Sequence, residues 1–318
     1  MIANIVLHPV PRVVWTWAEF EANTPRKSIA LDGMVSGGPR FSPETVHVNF
    51  DHHDGVIREA TMSSCKQVYF AIKGGLMETF GPTTEEPLHI YFNDTDQDTS
   101  FAIDLIVNYK LYEGAASLPN INRLLDITDK WDITAGAFPM NLDDKLVRQH
   151  AWVFEHYSRL RKSGQLASAT AEVLYDNLLA TLARLQEYRM GNAGETKLDD
   201  RHKILYDCPN FKIVDEIGGN EARYLLFAKG INAYISLVAQ RKDGRFVWTV
   251  GRRSRYIPFP LPLLYAAYNE AEGFGPGRGF NGSDIVGGSD RLDGSGLNWE
   301  QMRDITLDVL RRAQIVKS

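Results

Sequence analysis

The sequence predicts an α/β protein with a parallel-sheet N-terminal domain, a helical connector and a smaller α+β C-terminal domain. Two observations carry this prediction. In residues 1–140, short apolar strands alternate with helix-like segments, which is typical of a largely parallel sheet. From residue 203 onward, β-rich runs flank an Asp-Gly pair, which indicates a hairpin. We place the boundary near residues 195–200, which gives domains 1–195 and 200–318.

The first region contains short apolar runs that read as parallel strands. The candidate strands are Ile2–Leu7, Ser28–Leu31, Val46–Phe50 and Leu88–Phe92. Ser63–Ile72 can form one buried helical or mixed face, and the apolar stretch from Phe101 to Ile106 favours a helix. Since ligands of open parallel sheets bind at the carboxyl ends of the strands, polar residues that follow these strands are candidates for a site.

The middle of the chain has a helical pattern over residues 141–193. Ser168–Arg189 lacks Gly and Pro and repeats leucines at helical spacing, and Gly191 follows it as a helix-ending residue. The candidate strands of the C-terminal region are Tyr224–Phe227, Ala233–Val238 and Phe246–Val250. Asp243-Gly244 is the predicted hairpin turn, and a Gly-rich tail leads to a final helix near Trp299–Arg312.

Composition and charge limit the function classes. The 318 residues are 44% hydrophobic and 24% charged with a net charge of −5, so no global basic field attracts nucleic acid. No apolar run approaches the roughly 18 residues that a membrane helix needs, and the N-terminus is too polar for a secretory signal. Cys65 and Cys208 form no CxxC pair. We therefore expect a cytoplasmic protein with reduced thiols.

The most informative motif is the run Phe50–Asp54, which reads Phe-Asp-His-His-Asp at the end of a candidate strand. Its carboxylate oxygens and imidazole nitrogens suit Mn²⁺, Zn²⁺ or Fe²⁺ better than Ca²⁺. Asp32 upstream and the acidic run Asn93–Asp98 downstream could complete a metal site. The alternative is a polar strand end whose histidines cap or hydrogen-bond, because short motifs have high false-positive rates.

Other polar residues have structural interpretations beside the functional ones. Asp126 and Asp129 could approach the site from a helix, although such aspartates more often cap helices. We expect His47 to be exposed, His150 to be structural, and Cys65 to be a buried thiol without a catalytic base.

Three segments in a fixed order resemble the DHH phosphoesterase superfamily, most closely its metal-dependent phosphohydrolase and exonuclease branch. They are Asp32-Gly33, Asn49–His53 and Asn93–Asp96. The tail Gly287–Leu297 is similar to the Gly-Gly-x-x-Arg-x-x-Gly-x-Gly substrate loop of the family's second domain. One departure concerns the opening His-x-x-x-Asp-x-Asp motif of the family, because His8 stands near the first strand without the two aspartates.

The resemblance implies a two-domain hydrolase that binds one or two Mn²⁺ ions, or Mg²⁺ or another divalent cation. The residues implied as catalytic are Asp51, His52 and His53. The implied metal ligands are Asp32, Asp51, His52, Asp94 and Asp96. The implied substrate-binding residues are Arg278, Gly287, Gly288, Gly294 and Arg291. Because the opening motif is incomplete, three alternatives stay open: partial compensation by the 94–98 run, a single metal, or a degenerate site.

The predicted function is hydrolysis of a phosphodiester or phosphoanhydride at a cleft between the two domains. The substrate would be a nucleotide, a short oligonucleotide or a similar phosphorylated molecule, with no membrane partner, and a homodimer is left open. One alternative is a catalytically degenerate protein of the same fold that binds nucleotide or metal. Another is a metal-dependent hydrolase of different bonds that uses the same ligands.

Overall fold

The computed structural model describes residues 4–275, 278–290 and 293–315. It shows an α/β chain with two mixed sheets, one of them mostly parallel, so the predicted fold class is confirmed. Contacts divide the chain into two compact units, each made of two segments. Unit 1 comprises Met1–Ile133 and Asp143–Lys197, and unit 2 comprises Thr134–Leu142 and Leu198–Ser318.

The sheet of unit 1 has the strand order β1-β5-β2-β4-β3. Its strands are β1 (Ile5–Pro9), β2 (Ser28–Leu31), β3 (Arg40–Ser42), β4 (His47–Phe50) and β5 (Leu88–Phe92). The first four strands in that order run parallel, and the edge strand β3 pairs antiparallel with β4. β2 and β4 are buried along their whole length, as central strands of a parallel sheet are. The carboxyl ends of β2, β4 and β5 therefore lie at one edge.

Unit 1 contains eight α-helices among its described residues. They are α1 (Trp17–Asn23), α2 (Ser64–Lys73), α3 (Leu76–Phe80), α4 (Gln97–Val107), α5 (Pro119–Ile133), α6 (Lys145–Val153), α7 (Glu155–Lys162) and α8 (Ala171–Arg189). Short 3₁₀ turns lie at Arg58–Ala60, Tyr109–Leu111 and Gln165–Ser168. Helices α2, α4, α5 and α8 pack against one another. The predicted helices within Ser63–Ile72, 101–106 and Ser168–Arg189 are confirmed as α2, α4 and α8.

The prediction that His47 is exposed is wrong. Its side chain is buried beneath α1, where the ring of Phe20 meets it edge-on at 5.1 Å. Its Nε2 lies 2.9 Å from Oγ1 of Thr24, and its Nδ1 lies 2.9 Å from the carbonyl oxygen of Thr45. The alternation of polar and apolar residues along β4 suggested an exposed face, but helices cover this strand on both sides.

His150 is a buried histidine whose pKa makes unit 1 sensitive to acid. Its ring lies 5.2 Å from that of Trp131 and 4.7 Å from that of Phe154, and Nε2 has no hydrogen-bond partner among the described residues. Burial lowers the pKa of His150 to about 3. The unfolded chain binds this proton near pH 6.5, so stability falls as the pH drops from about 6.5 towards 3.

We expect a His150→Leu variant to show a flatter loss of stability with acid than the wild type. The variant removes the contribution of His150 to the pH dependence of the free energy of unfolding, which is at most roughly 1.4 kcal/mol per pH unit as the pH falls from about 6.5. Urea unfolding at pH 7, 5 and 4 measures this change of stability with pH. His156→Gln is the control, because His156 is half-exposed. An unchanged pH slope in His150→Leu would show that another group causes the acid sensitivity.

The sheet of unit 2 has the strand order β10-β11-β9-β8-β7-β6. The strands are β6 (Lys203–Asp207), β7 (Lys212–Asp215), β8 (Ala233–Gln240), β9 (Phe246–Arg252), β10 (Asn281–Gly282) and β11 (Val286–Gly288). The helices are α9 (Asn220–Ala228), α10 (Leu261–Glu272) and α11 (Trp299–Arg312). Trp248, Leu264, Tyr268 and Met302 lie in the core that the sheet shares with α10 and α11.

The predicted strand Tyr224–Phe227 is wrong, because these residues lie within helix α9. A four-residue apolar run does not distinguish a strand from a buried helical turn. Strands β7 and β8 are parallel, and a parallel pair needs a crossover connection, which α9 provides. The predicted hairpin is confirmed between β8 and β9, where Gly244 has the positive φ of 84°.

The helices of the described residues were compared in length and hydropathy with a membrane span. None of their helices has both the length and the apolar character that a bilayer span requires.

Candidate metal centre

The candidate site begins where β2 and β4 end side by side. Leu31 pairs with Phe50 in the parallel register, and the N–H of Asp32 donates to the carbonyl oxygen of Phe50 at 2.9 Å. Asp32 and Gly33 both have positive φ, 52° and 77°, so the chain turns sharply out of the sheet here. This turn holds the buried Asp32 carboxylate beside the Asp-His-His segment.

Asp51 is held by a set of donors that all converge on one of its oxygens. Its Oδ1 accepts the backbone N–H groups of Gly33, His52 and His53 at 3.1, 2.7 and 3.1 Å. The same oxygen lies 2.9 Å from Nδ1 of His53. Its Oδ2 is buried and has no hydrogen-bond partner among the described residues. One oxygen of Asp51 is therefore fixed by the protein, and the other remains available for a ligand.

His52 lies at the centre of a group of carboxylates. Its Nε2 is 2.6 Å from Oδ2 of Asp132 and 3.4 Å from Oδ1 of Asp32. Oδ2 of Asp98 lies 3.6 Å from the same nitrogen. Nδ1 of His53 lies 3.3 Å from Oδ1 of Asp32. We call these five residues the Asp–His cluster.

Two contacts within the Asp–His cluster have the length expected of shared coordination. Two donor atoms that bind one ion at about 2.1 Å lie roughly 3.0–3.5 Å apart. The contacts of Asp32 with the two histidines, at 3.4 and 3.3 Å, are of this length. Nε2 of His52 and Oδ2 of Asp132 make no hydrogen bond with any described residue, although they lie close together. Buried polar atoms in this state suit a cation.

Two donor contacts fix the carboxylate of Asp32. Oγ of Ser64 donates to its Oδ1 at 3.2 Å, and Oγ1 of Thr99 donates to its Oδ2 at 3.1 Å. These hydroxyls come from the first turns of α2 and α4. Such partners orient a metal ligand and limit its freedom to move.

Asp98 has a structural role in addition to its place in the cluster. Its two oxygens accept the N–H groups of Ser64 and Cys65 at 2.6 and 2.7 Å. These are unsatisfied amides at the start of α2, so Asp98 caps that helix from α4. Its Oδ2 then points to both the helix terminus and His52.

The electrostatics of the cluster show an excess of buried negative charge. Although burial lowers it, the carboxylates of Asp132 and Asp32 raise the pKa of His52 to about 11. Burial, together with Asp132 and Asp32, raises the pKa of Asp98 to about 8. Burial and the neighbouring carboxylates raise the pKa of Asp96 well above its ordinary value. A divalent cation would offset this repulsion and favour the charged carboxylates.

Two overlapping groups of described residues could hold an ion. They are Asp32, His52 and His53, and His52, Asp98 and Asp132. Of the metal ligands implied by the sequence, Asp32 and His52 are in these groups, whereas Asp51, Asp94 and Asp96 lie beside them.

The two aspartates after β5 have protein partners of their own. Oδ1 of Asp94 accepts the N–H of Thr95 at 2.7 Å, and Oδ2 accepts the hydroxyl of Tyr157 at 3.0 Å. Asp96 is the N-cap of α4 and accepts the N–H of Thr99 at 3.0 Å. Asp94 and Asp96 nevertheless interact electrostatically with the cluster. The carboxylate of Asp32 adds to the effect of burial in raising the pKa of each.

Sequence reasoning did not identify Asp132, which lies in the last turn of α5. Its carboxylate meets His52, and Nε and Nη2 of Arg58 donate to its carbonyl oxygen at 3.3 and 3.0 Å. Asp129, one turn earlier, accepts the N–H of Ser63 at 2.9 Å and so acts as a capping residue for α2. The spacing of three residues, which puts Asp129 and Asp132 on one helical face, was the only signal in the sequence.

His8 does not join the cluster. Its Nε2 lies 2.9 Å from Nδ1 of His89, and its ring stacks on Tyr91 at 4.3 Å. Burial, with the neighbouring His89, lowers the pKa of His8. The histidine that stands nearest the first strand is therefore a packing residue.

The glycines of the implied substrate loop are explained by close packing in unit 2. Gly287 and Gly288 lie in β11, where a Cβ atom would collide with the hydroxyl of Tyr265 and the carbonyl of Trp248, respectively. Gly294 has a φ of 64°, and its N–H donates to the carbonyl of Asp290 at 2.9 Å. These features need no bound anion.

The two arginines implied in substrate binding differ in what the structure describes. Arg278 is exposed, and its Nη2 lies 3.5 Å from Oδ2 of Asp293. Arg291 lies outside the described residues. Its implied role therefore stays a prediction.

No family model matches the sequence, and a search of curated proteins finds no significant match. The functional argument therefore depends on the Asp–His cluster itself.

Proposed function

We propose that the chain is a metal-dependent phosphoesterase that hydrolyses a phosphodiester or phosphoanhydride, as its resemblance to the DHH superfamily implies. The observation that carries this proposal is that three carboxylates and two imidazoles form two overlapping groups around His52, in which Nε2 of His52 and Oδ2 of Asp132 have no hydrogen-bond partner among the described residues. Phosphoryl transfer needs electrostatic stabilisation more than covalent chemistry, and such a ligand set holds the cations that supply it.

The residues that would hold the metal are those of the Asp–His cluster. They are Asp32, His52, His53, Asp98 and Asp132. Their mixture of oxygen and nitrogen ligands favours Mn²⁺, with Zn²⁺ or Fe²⁺ as chemically similar alternatives. When bound, such an ion supplies Lewis-acid stabilisation of phosphoryl oxygens.

The remaining residues position the reacting groups. Oδ1 of Asp51 lies 2.9 Å from Nδ1 of His53 and orients its ring. The side chain of His53 is 39% exposed, whereas that of His52 is fully buried. Although burial lowers it, Asp32 and Asp51 raise the pKa of His53. His53 is thus the cluster residue that a phosphoryl oxygen can approach from solvent.

A second function is a catalytically degenerate protein that binds metal or nucleotide. The capping role of Asp98 favours it, because both oxygens of this residue are already used by the amides of α2. Under either function the partner is a small phosphorylated molecule or a short nucleic acid. The two cysteines are free in the structure, which supports a reducing, cytoplasmic location, and we keep the homodimer as an open proposal.

Metal content and turnover separate these functions. The purified chain is loaded with Mn²⁺, Zn²⁺ or Mg²⁺, and bound metal is counted by mass spectrometry. The same preparations are assayed with bis-p-nitrophenyl phosphate, short oligonucleotides, cyclic dinucleotides and pyrophosphate. Bound metal with turnover of a phosphorylated substrate supports the phosphoesterase. Metal without turnover supports the degenerate protein, and failure to bind any divalent cation rules out the phosphoesterase.

Asp132→Asn tests the ligand that the structure adds to the sequence prediction. We expect metal affinity to fall by roughly ten- to a hundredfold, because the variant removes the charge closest to His52. Titration with Mn²⁺ followed by calorimetry measures the change. Asp126→Asn is the matched control, since Asp126 lies on the same helix but is exposed and pairs with Lys130. Equal affinities in the two variants would remove Asp132 from the metal site.

A further inference from the structure

Helix α7 places two functional groups on one face beside the candidate metal centre. Tyr157 and Arg161 are four residues apart, so their side chains lie one turn apart on the helix. Tyr157 is buried, and its hydroxyl donates to Oδ2 of Asp94 at 3.0 Å. Since Asp94 lies two residues after the end of β5, this face of α7 meets the carboxyl end of the sheet of unit 1.

Arg161 is half-buried and its guanidinium has no hydrogen bond or ion pair with any residue that the structure describes. Two other half-buried arginines of unit 1 differ. Arg184 donates to the carbonyl of Trp152 at 3.2 Å, and Arg189 pairs with Asp104. A partly desolvated guanidinium normally finds a partner, because leaving its donors unsatisfied costs free energy. Arg161 therefore offers unused donors.

The charge of Arg161 reaches the edge of the metal centre. It acts to lower the pKa of Asp94 and that of Tyr157, in opposition to the larger effect of burial. The carboxylate of Asp32, a member of the Asp–His cluster, also acts on Asp94. Arg161 and Asp32 thus both act electrostatically on Asp94, in opposite directions.

We propose that Arg161 binds the phosphoryl group of the substrate and of the phosphate product. The inference rests on the proposed function and adds to it an anion contact that comes from unit 1 itself. A planar guanidinium binds two phosphate oxygens at once, which a neutral side chain in its place would not do. The competing explanation is that Arg161 only offsets the charge of the neighbouring carboxylates.

Inorganic phosphate binding to the Mn²⁺-loaded full chain tests the proposal by calorimetry. We expect Arg161→Gln to weaken phosphate binding by about ten- to a hundredfold, the effect of losing hydrogen bonds to a charged group. Arg161→Lys keeps the positive charge but loses the planar guanidinium that binds two oxygens at once. Its phosphate affinity should therefore lie between that of the wild type and that of Arg161→Gln. Arg159→Gln is the matched control, because Arg159 is exposed on the same helix and faces Glu155 at 3.9 Å. Metal content should be the same in all four proteins.

The outcomes distinguish this inference from the proposed function. A wild type that binds no divalent cation overturns both. A wild type that binds metal but not millimolar phosphate overturns the role of Arg161 alone, and so does an Arg161→Gln variant with wild-type phosphate affinity. A variant that loses metal while keeping phosphate affinity shows that Arg161 only balances charge. Should Arg161→Gln fail to fold, Arg161→Lys decides, because an unchanged affinity in that variant contradicts bidentate binding.

Discussion

Asp51→Asn should reduce metal-dependent phosphodiester hydrolysis by at least about a hundredfold while leaving the fold intact. The amide oxygen of Asn can keep the place of Oδ1, which accepts from the backbone of Gly33, His52 and His53. The amide nitrogen replaces Oδ2, which is buried without a hydrogen-bond partner among the described residues. The variant thus removes a negative charge and an oxygen that remains available for a ligand.

Steady-state kinetics with bis-p-nitrophenyl phosphate at saturating Mn²⁺ measures this loss, and thermal unfolding checks the fold. Asp54→Asn provides the control, since Asp54 is exposed in the same segment and only accepts the N–H of Gly37 at 3.2 Å. We expect the control to keep wild-type turnover. Wild-type turnover in Asp51→Asn would place the chemistry elsewhere in the molecule.

Arg189→Met should destabilise unit 1 by about 3–5 kcal/mol, the usual cost of breaking a buried ion pair by removing one partner. Nη2 of Arg189 donates to Oδ1 of Asp104 at 2.6 Å, and Nε donates to the hydroxyl of Tyr112 at 3.1 Å. The Asp104 side chain is almost fully buried, so its carboxylate would be left without its counter-charge. This pair ties α4, which carries Asp98, to the end of α8.

A double variant separates the ion pair from the packing around it. We expect Arg189→Met combined with Asp104→Leu to recover much of the lost stability, because no buried charge then remains unpaired. Urea denaturation of the two single variants and the double variant gives the coupling free energy. A single variant that costs less than about 1 kcal/mol would show that water reaches Asp104 readily.

The sheet edge could be predicted because its signals are local. Buried parallel strands are short apolar runs, and the polar residues that follow them must lie at one edge. Asp32 and His52 were found in this way. Asp98, which belongs to the acidic run predicted to complete the site, reaches the cluster from helix α4. Asp132 reaches it from helix α5, where a carboxylate has the same appearance in the sequence as a solvent-facing one. Their contribution depends on the packing of α2 against both helices, which no local pattern encodes.

The errors in unit 2 and at His47 have a common physical cause. Tyr224–Phe227 is apolar enough for either a strand or a helix, and the parallel pairing of β7 with β8 decides the outcome. His47 alternates with apolar residues as an exposed strand residue would, but α1 covers that face. In both cases a distant part of the chain determines the environment, and local propensity is overridden.

Thr134–Leu142 belongs to unit 2, although the chain on both sides of it belongs to unit 1. This arrangement has a consequence for biosynthesis. Ala137 belongs to a small core with Phe227 and Tyr234, which leave the ribosome about ninety residues later. The second segment of unit 1 emerges in between, so this nine-residue stretch must wait, unburied, while its neighbours on both sides fold. A fragment that starts at Leu198 would lack Ala137 and with it part of that core. Because synthesis runs from the N-terminus to the C-terminus, unit 1 can complete its folding first. Unit 2 folds later, around a segment that was synthesised before the rest of unit 2.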